Sequence, residues 1–199
     1  MSQWKSVLLF GAPGAGKGTQ GRILGCVPGF VHVAMGDLFR SLDPDSELGR
    51  TVQRYSSRGE LVPDELTIDL WRRSVEALVE RGDFDPDKDV LVLDGLPRNV
   101  EQAKLLAPCV RPLLVLHLDA RDEEELLRRL RKRALKEGRA DDAREEVVRH
   151  RLEVYRSQTA PVLAQYPPEI VVRIEATGAP IQVLSRIAAR LAEVCVCAA

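Results

Sequence analysis

The stretch Gly11-Ala12-Pro13-Gly14-Ala15-Gly16-Lys17-Gly18-Thr19 limits what this chain can fold into more than any other segment. It follows a short apolar run, Lys5 to Phe10, that reads as a strand buried on both faces. Phosphate oxygens need several donors close together. A glycine loop lets backbone N–H groups converge without side-chain obstruction. A helix opening at Lys17 would add its partial positive charge, and the lysine would reach the outer phosphates. The fit to G-x-x-x-x-G-K-[ST] is incomplete, because Gly18 follows the lysine and the hydroxyl comes one place later at Thr19. A direct Thr–Mg²⁺ bond is therefore not expected. The loop indicates a bound nucleotide phosphate without separating a kinase from a switch or a motor.

Further apolar runs at Val31 to Ala34, Val90 to Leu93, Leu113 to Leu118 and Ile170 to Ile174 read as strands, with amphipathic stretches between them. Leu126, Leu127, Leu130, Ala134 and Leu135 mark one face of a helix over Arg121 to Lys136. Pro63 to Arg81 opens on Pro-Asp-Glu and stops at Gly82, also as a helix. The alternation predicts an α/β fold, a parallel sheet wrapped by helices. Two regions break it: Gly36 to Val62 reads as helical with no strand partner, and Arg133 to Arg144 is charged and nearly free of apolar residues. Each is a candidate flap on the sheet core.

The 199 residues suit one domain with a modest insertion, and 45% hydrophobic with 30% charged residues can form a core under a polar surface. A net charge of −1 argues against a general nucleic-acid coat or a polybasic membrane binder. No run resembles an export signal or a spanning helix, so the expected compartment is cytoplasmic. Cys26, Cys109, Cys195 and Cys197 form no CxxC pair and read as reduced thiols.

The third strand ends in Asp94-Gly95-Leu96-Pro97-Arg98. An acid at that place sits beside the phosphate loop in such sheets and is a candidate Mg²⁺ holder, directly or through water. As an alternative it caps a turn. Arg98 offers a guanidinium fork to a phosphate. His32, His117 and His150 form no catalytic constellation and read as structural.

Here the sequence resembles a family. GAPGAGKGTQ (11–20), MGDLFR (35–40), GELV (59–62), DGLPRNVEQ (94–102), GRADD (138–142) and RLEVY (151–155) occur in this order and look like adenylate kinase over almost the whole chain. The resemblance implies a five-stranded, doubly wound parallel sheet of the P-loop NTPase type, with a core of residues 1–33, 64–131 and 143–199. A monophosphate-binding flap would span 34–63 and a short LID 132–142. It implies Mg²⁺-dependent transfer of one phosphoryl group between ATP and AMP by a monomer, with no nucleic-acid or membrane partner. The LID carries no cysteine, so no zinc is expected.

By the same resemblance, Gly14, Ala15, Gly16, Lys17, Gly18 and Thr19 wrap the ATP phosphates. Arg129 lies against the ATP base, Arg133 touches its phosphates, and Gly178 makes a backbone contact near the adenine. Arg40 and Arg98 clamp the phosphate of the monophosphate, and Gly95, Leu96 and Pro97 also belong to the AMP-binding set. Met35, Glu60, Leu61, Val62 and Gln102 surround its base, and Gln102 in particular favours AMP over the pyrimidine monophosphates. Arg139 and Arg151 close over the transferring group. The implied catalytic set is Lys17, Asp94, Arg98, Arg133, Arg139 and Arg151, with Asp94 holding Mg²⁺ through water.

Several departures stand against the family pattern. Met35 replaces a usual threonine and Leu96 a usual aromatic residue. One extra residue separates Asp142 from Arg151, which leaves Arg149 and His150 as alternatives for that position. A UMP/CMP kinase of the same fold is the nearest competing reading, and a non-catalytic nucleotide-binding switch or scaffold the more distant one. The chain has no Asn-Lys-x-Asp guanine motif.

Overall fold

The computed structural model describes residues 3–120, 122–138, 142 and 144–195, with the side chain of Cys195 excepted. Five strands form one sheet: β1 (Trp4–Gly11), β2 (Phe30–Ala34), β3 (Val90–Asp94), β4 (Val110–Asp119) and β5 (Val171–Glu175). All neighbours are parallel, in the order β2-β3-β1-β4-β5. Side chains alternate across the sheet. Val7 and Leu9 of β1 join one core layer, with Leu116, Leu126, Leu130, Leu152 and Ile187. Leu8 and Phe10 join the other, with Leu93, Trp71, Phe84 and Leu106. Two buried faces explain why these strands read as unbroken apolar runs.

Among the described residues, eight α-helices connect and flank the strands: α1 (Lys17–Leu24), α2 (Met35–Ser41), α3 (Glu47–Ser56), α4 (Asp64–Glu80), α5 (Val100–Leu106), α6 (Glu123–Glu137), α7 (Glu145–Val154) and α8 (Pro180–Cys195). The segment expected as a helical flap is α2 and α3, with Ser46 capping α3 by accepting from the N–H of Gly49. Helix α6 runs unbroken to Glu137, past the expected start of the LID at 132, and ends on Gly138 in the left-handed region. A π-helical turn, Tyr155–Thr159, continues the chain after α7.

Four strands match their expected spans to within one residue, while β4 starts three residues earlier, at Val110. The register between β1 and β4 shifts after Ser6, which pairs with Pro112 while Val7 pairs with Leu114. A bulge absorbs the missing proline N–H, so Pro112 starts no break in the ladder. The sheet order reverses beside β1, and the carboxyl ends of β1 and β3 open there into one crevice.

Candidate active site

The crevice is a cavity of about 1330 Å³ that takes in the phosphate loop, α2, α3, the 94–98 loop, α6 and α7. At its base, Gly14 and Gly16 have φ of 86° and 98°. A Cβ on Gly14 would also lie 3.0 Å from the carbonyl oxygen of Leu126. Only glycine lets the loop curl this closely against α6. Helix α1 then starts with neither a side-chain cap nor an acidic residue in its first turn. Its first N–H groups and positive end therefore face the cavity ready for an anion.

Lys17 Nζ folds back over the loop, donating to the carbonyl oxygens of Gly11 (2.6 Å) and Ala12 (3.1 Å). Burial pushes its pKa down to about 8, against an opposing pull from Asp94 and with help from Arg98, Arg133 and Arg151. Asp94 ends β3, in register with Leu9 of β1 and Ala34 of β2. Burial raises its pKa, but His32, Lys17 and Arg98 together outweigh that and hold it below the usual carboxylate value. His32 Nε2 lies 3.9 Å from Asp94 Oδ2. The histidine read as structural is thus also a neighbour of the acid. A Cβ built on Gly18 would meet Asp94 Oδ2 at 3.3 Å, so the glycine after the lysine leaves this carboxylate open to the cavity. One hard carboxylate beside an anion cradle suits Mg²⁺, which prefers one or two carboxylates plus phosphate oxygens and water. No group of three or more His, Cys, Asp or Glu able to hold a metal occurs among the described residues.

Arginines form the cavity's other wall. Arg98 Nε donates to the carbonyl oxygen of Gly95 at 2.9 Å. Arg133 and Arg151 each reach Asp142, at 2.6 Å, whose carboxylate is fully buried. Arg129 donates to Glu125 (2.8 Å) and to the carbonyl oxygen of Ala176 (3.2 Å), which carries it toward Gly178 on the cavity rim. Arg40 pairs with Asp37, and Arg40, Glu60, Leu61 and Val62 all line the cavity. Lys17, Asp94, Arg98, Arg133 and Arg151 therefore meet in one cavity. Of the three candidates left by the extra residue, Arg151 lines it. Arg149 is bound to Glu145 and Glu123 on the outer surface, and His150 lies beside Glu153.

Three residues expected at the AMP site, Met35, Leu96 and Gln102, do not line this cavity. Met35 is 1% exposed and Leu96 2% exposed, and both pack into the core with Trp71 rather than on the cavity wall. Gln102, the expected base reader, is also buried. Its Oε1 accepts from the Arg98 N–H at 2.8 Å and its Nε2 donates to Asp64 Oδ1 at 2.9 Å. It supports the wall from behind. Arg139 and Asp141 lie outside the described residues.

Other cavity residues were not singled out by the sequence. Arg144 donates to the carbonyl oxygen of Ser57 (2.6 Å), linking the start of α7 to the end of α3. Thr159 donates to the carbonyl oxygen of Arg98 (2.6 Å). Tyr155 pairs with His117 at 3.0 Å, and burial pushes its pKa up to about 12. Each depends on a partner distant in the chain, and no local spacing announces it.

Comparison with known proteins agrees with this geometry. The family described as adenylate kinase matches residues 9–171. An adenylate kinase of Thermobifida fusca is 43% identical over 179 residues, covering 86% of this chain and 90% of its own. One from Kocuria rhizophila is 40% identical over 191 residues, covering 93% and 97%. One from Thermus thermophilus is 40% identical over 197 residues, covering 96% and 99%. A match of this extent, on a chain whose phosphate loop and arginines share one cavity, means that the protein belongs to the adenylate kinase family.

Proposed function

We propose that this chain is a phosphotransferase catalysing ATP + AMP = 2 ADP, and so balances the adenine nucleotides. The observation that carries this reading is the convergence of Lys17, Asp94, Arg98, Arg133 and Arg151 on a single cavity with room at both ends. Its volume, about 1330 Å³, exceeds the ~300–1,000 Å³ usual for one small ligand.

ATP lies along the phosphate loop and α6. Its phosphates meet the N–H groups of residues 14–19, Lys17 and Arg133, and its base meets Arg129 and the backbone at Gly178. AMP lies across α2 and α3, its phosphate between Arg40 and Arg98 and its base against the 60–62 segment. The nucleophile is a phosphate oxygen of AMP. With a second pKa of about 6 it is already ionised near neutrality, so no general base is needed. The chain's task is to bring two polyanions into line, neutralise the charge between them and keep water out.

Lys17 moves from the carbonyl oxygens of Gly11 and Ala12 to the transferring phosphate. Arg133 and Arg151 turn from Asp142 to the same group, and Arg139 completes the set. Asp94 would hold Mg²⁺, directly or through water, and the ion would supply positive charge against the phosphates. Exclusion of water by both flaps prevents hydrolysis. No helix among the described residues is long and apolar enough to cross a membrane. A cytoplasmic monomer is the proposed setting, and sedimentation checks the monomer.

Conversion of ADP to ATP and AMP is the direct assay. Lys17→Met and Arg98→Ala each reduce it by at least 100-fold while the thermal transition remains cooperative. Near-normal turnover in either variant would refute the residue assignment. No ATP from ADP with the unaltered chain would refute the function. Initial rates with AMP, CMP, UMP and GMP measure the base preference.

A further inference from the structure

Arg98 is gripped by its backbone from two sides. Its N–H donates to Gln102 Oε1 at 2.8 Å. That amide is held in turn by Asp64, which accepts from Gln102 Nε2 at 2.9 Å and from Asn99 Nδ2 at 2.8 Å. Asp64 accepts and a backbone N–H donates, so the amide has one workable orientation. On the other side, the carbonyl oxygen of Arg98 accepts from Thr159 Oγ1 at 2.6 Å, across 61 residues of sequence.

Thr159 is an unusual donor for that bond. A threonine in a helical run ordinarily turns its hydroxyl back onto the preceding turn. Thr159 ends the π-helical turn Tyr155–Thr159 after α7. A π turn adds one residue to the helical register, which redirects the side chains beyond it. Here the hydroxyl points across the cavity floor to the 94–98 loop, in a residue only 9% exposed. The same continuous run carries Arg151, eight positions earlier. Two guanidinium-bearing residues of the cavity, on different elements, are thereby tied through residues 151–159.

The geometry points to Thr159 as a positioning residue for phosphoryl transfer: its hydroxyl fixes the Arg98 peptide, and so the guanidinium, relative to the α7 arginine. This rests on the function proposed above and adds to it a residue that touches no substrate. The anchor matters because Arg98 projects a long side chain from a loop. A displacement of about 1 Å at a reacting centre can lower the rate by ~100-fold. The Gln102–Asp64 pair restrains the peptide that enters Arg98, and Thr159 restrains the peptide that leaves it.

The test is a set of variants assayed for ADP disproportionation and, by calorimetry, for AMP binding. Thr159→Val keeps the branched shape and removes the donor. It should lower kcat by about 10-fold and leave the KM for ATP within about twofold. Thr159→Ser keeps the hydroxyl and should recover most of the loss. In an Arg98→Ala background, Thr159→Val should cause no further loss, because the side chain it positions is gone. An unchanged kcat in Thr159→Val would overturn the inference. So would the same factor lost with and without Arg98, or no rescue by serine. Should the unaltered chain fail to disproportionate ADP, the proposed function falls by itself. The AMP titration still reads the coupling of Thr159 to Arg98: a loss of affinity that vanishes in the Arg98→Ala background supports it, and an additive loss overturns it.

Discussion

Lys17 shows how far one residue's chemistry follows from its place. A lysine at the mouth of a glycine loop can be read from sequence as a phosphate ligand. Its ionisation could not be read, because burial depends on how α6 and the 94–98 loop close over it. In the folded chain its pKa falls from 10.5 to about 8, chiefly through burial. Between those values the unfolded chain binds more protons than the native one, so stability rises with pH across that window. Below about 8 the native state carries the whole penalty of a buried ammonium. Lys17→Met removes this dependence. The difference in Tm between Lys17→Met and the unaltered protein should therefore shift in favour of the unaltered protein as pH rises from 8 to 10.5, by an amount corresponding to roughly 1–3 kcal/mol. A flat difference across that range would contradict the buried-ammonium picture. ATP supplies counter-charge and restores the proton. Its affinity should decline as pH rises through about 8, and calorimetry in buffers of different ionisation heats should show proton uptake on binding near that pH.

At the scale of elements, α6 and α7 meet through Asp142. The Asp142 carboxylate is fully buried and bridges Arg133 of α6 to Arg151 of α7. Removing one partner of a buried pair leaves charge without compensation, at a cost of ~3–5 kcal/mol for fully buried groups. Both guanidiniums are about a quarter exposed, which lowers the expected loss to roughly 1–3 kcal/mol. Asp142→Ala should lower the Tm of the free protein by roughly 2–10 °C. The deficit should narrow when a polyphosphate ligand gives both arginines a new anion. A deficit that is unchanged on ligand binding would mean that these arginines do not turn toward phosphate. The elements themselves were largely legible. Apolar runs marked the strands, and Pro-Asp-Glu and Gly82 bracketed α4. The start of β4 was hidden because Pro112 argues locally against a strand, and only the bulge against Ser6 accommodates it. The site's first layer was also legible, in Gly11 to Thr19 and Asp94 to Arg98. Its support was not. The amide of Gln102 bonds to Asp64, 38 positions away, a partner that no local spacing announces. Thr159 and Arg144 bond to backbone carbonyl oxygens of distant loops, and a carbonyl leaves no mark in a sequence.

For the whole molecule, the governing fact is a near-neutral chain in which one group of cations faces a common cavity. Lysine and arginine total 29 against 30 acids, yet Lys17, Arg98, Arg129, Arg133 and Arg151 share one cavity. In the free protein several of these cations are held by internal acceptors: Arg133 and Arg151 by Asp142, Arg129 by Glu125, Lys17 by the loop carbonyl oxygens. A nucleotide filling one end satisfies only part of this set. A ligand joining two adenosines through a polyphosphate spans both ends and engages the arginines of α6, α7 and the 94–98 loop together. Its affinity then reflects linkage of two binding events, beyond either alone. A ligand present at about 1,000 times its Kd stabilises the native state by ~4 kcal/mol, or roughly 8–16 °C in Tm for a chain of this size. The dinucleotide should reach that shift at concentrations where ATP or AMP alone gives a small fraction of it. Arg98→Ala should remove most of the advantage by uncoupling the AMP end from the ATP end. If the dinucleotide raised Tm no further than ATP at equal concentration, the two ends would not act as one site, and the in-line transfer that depends on their meeting would have no structural basis.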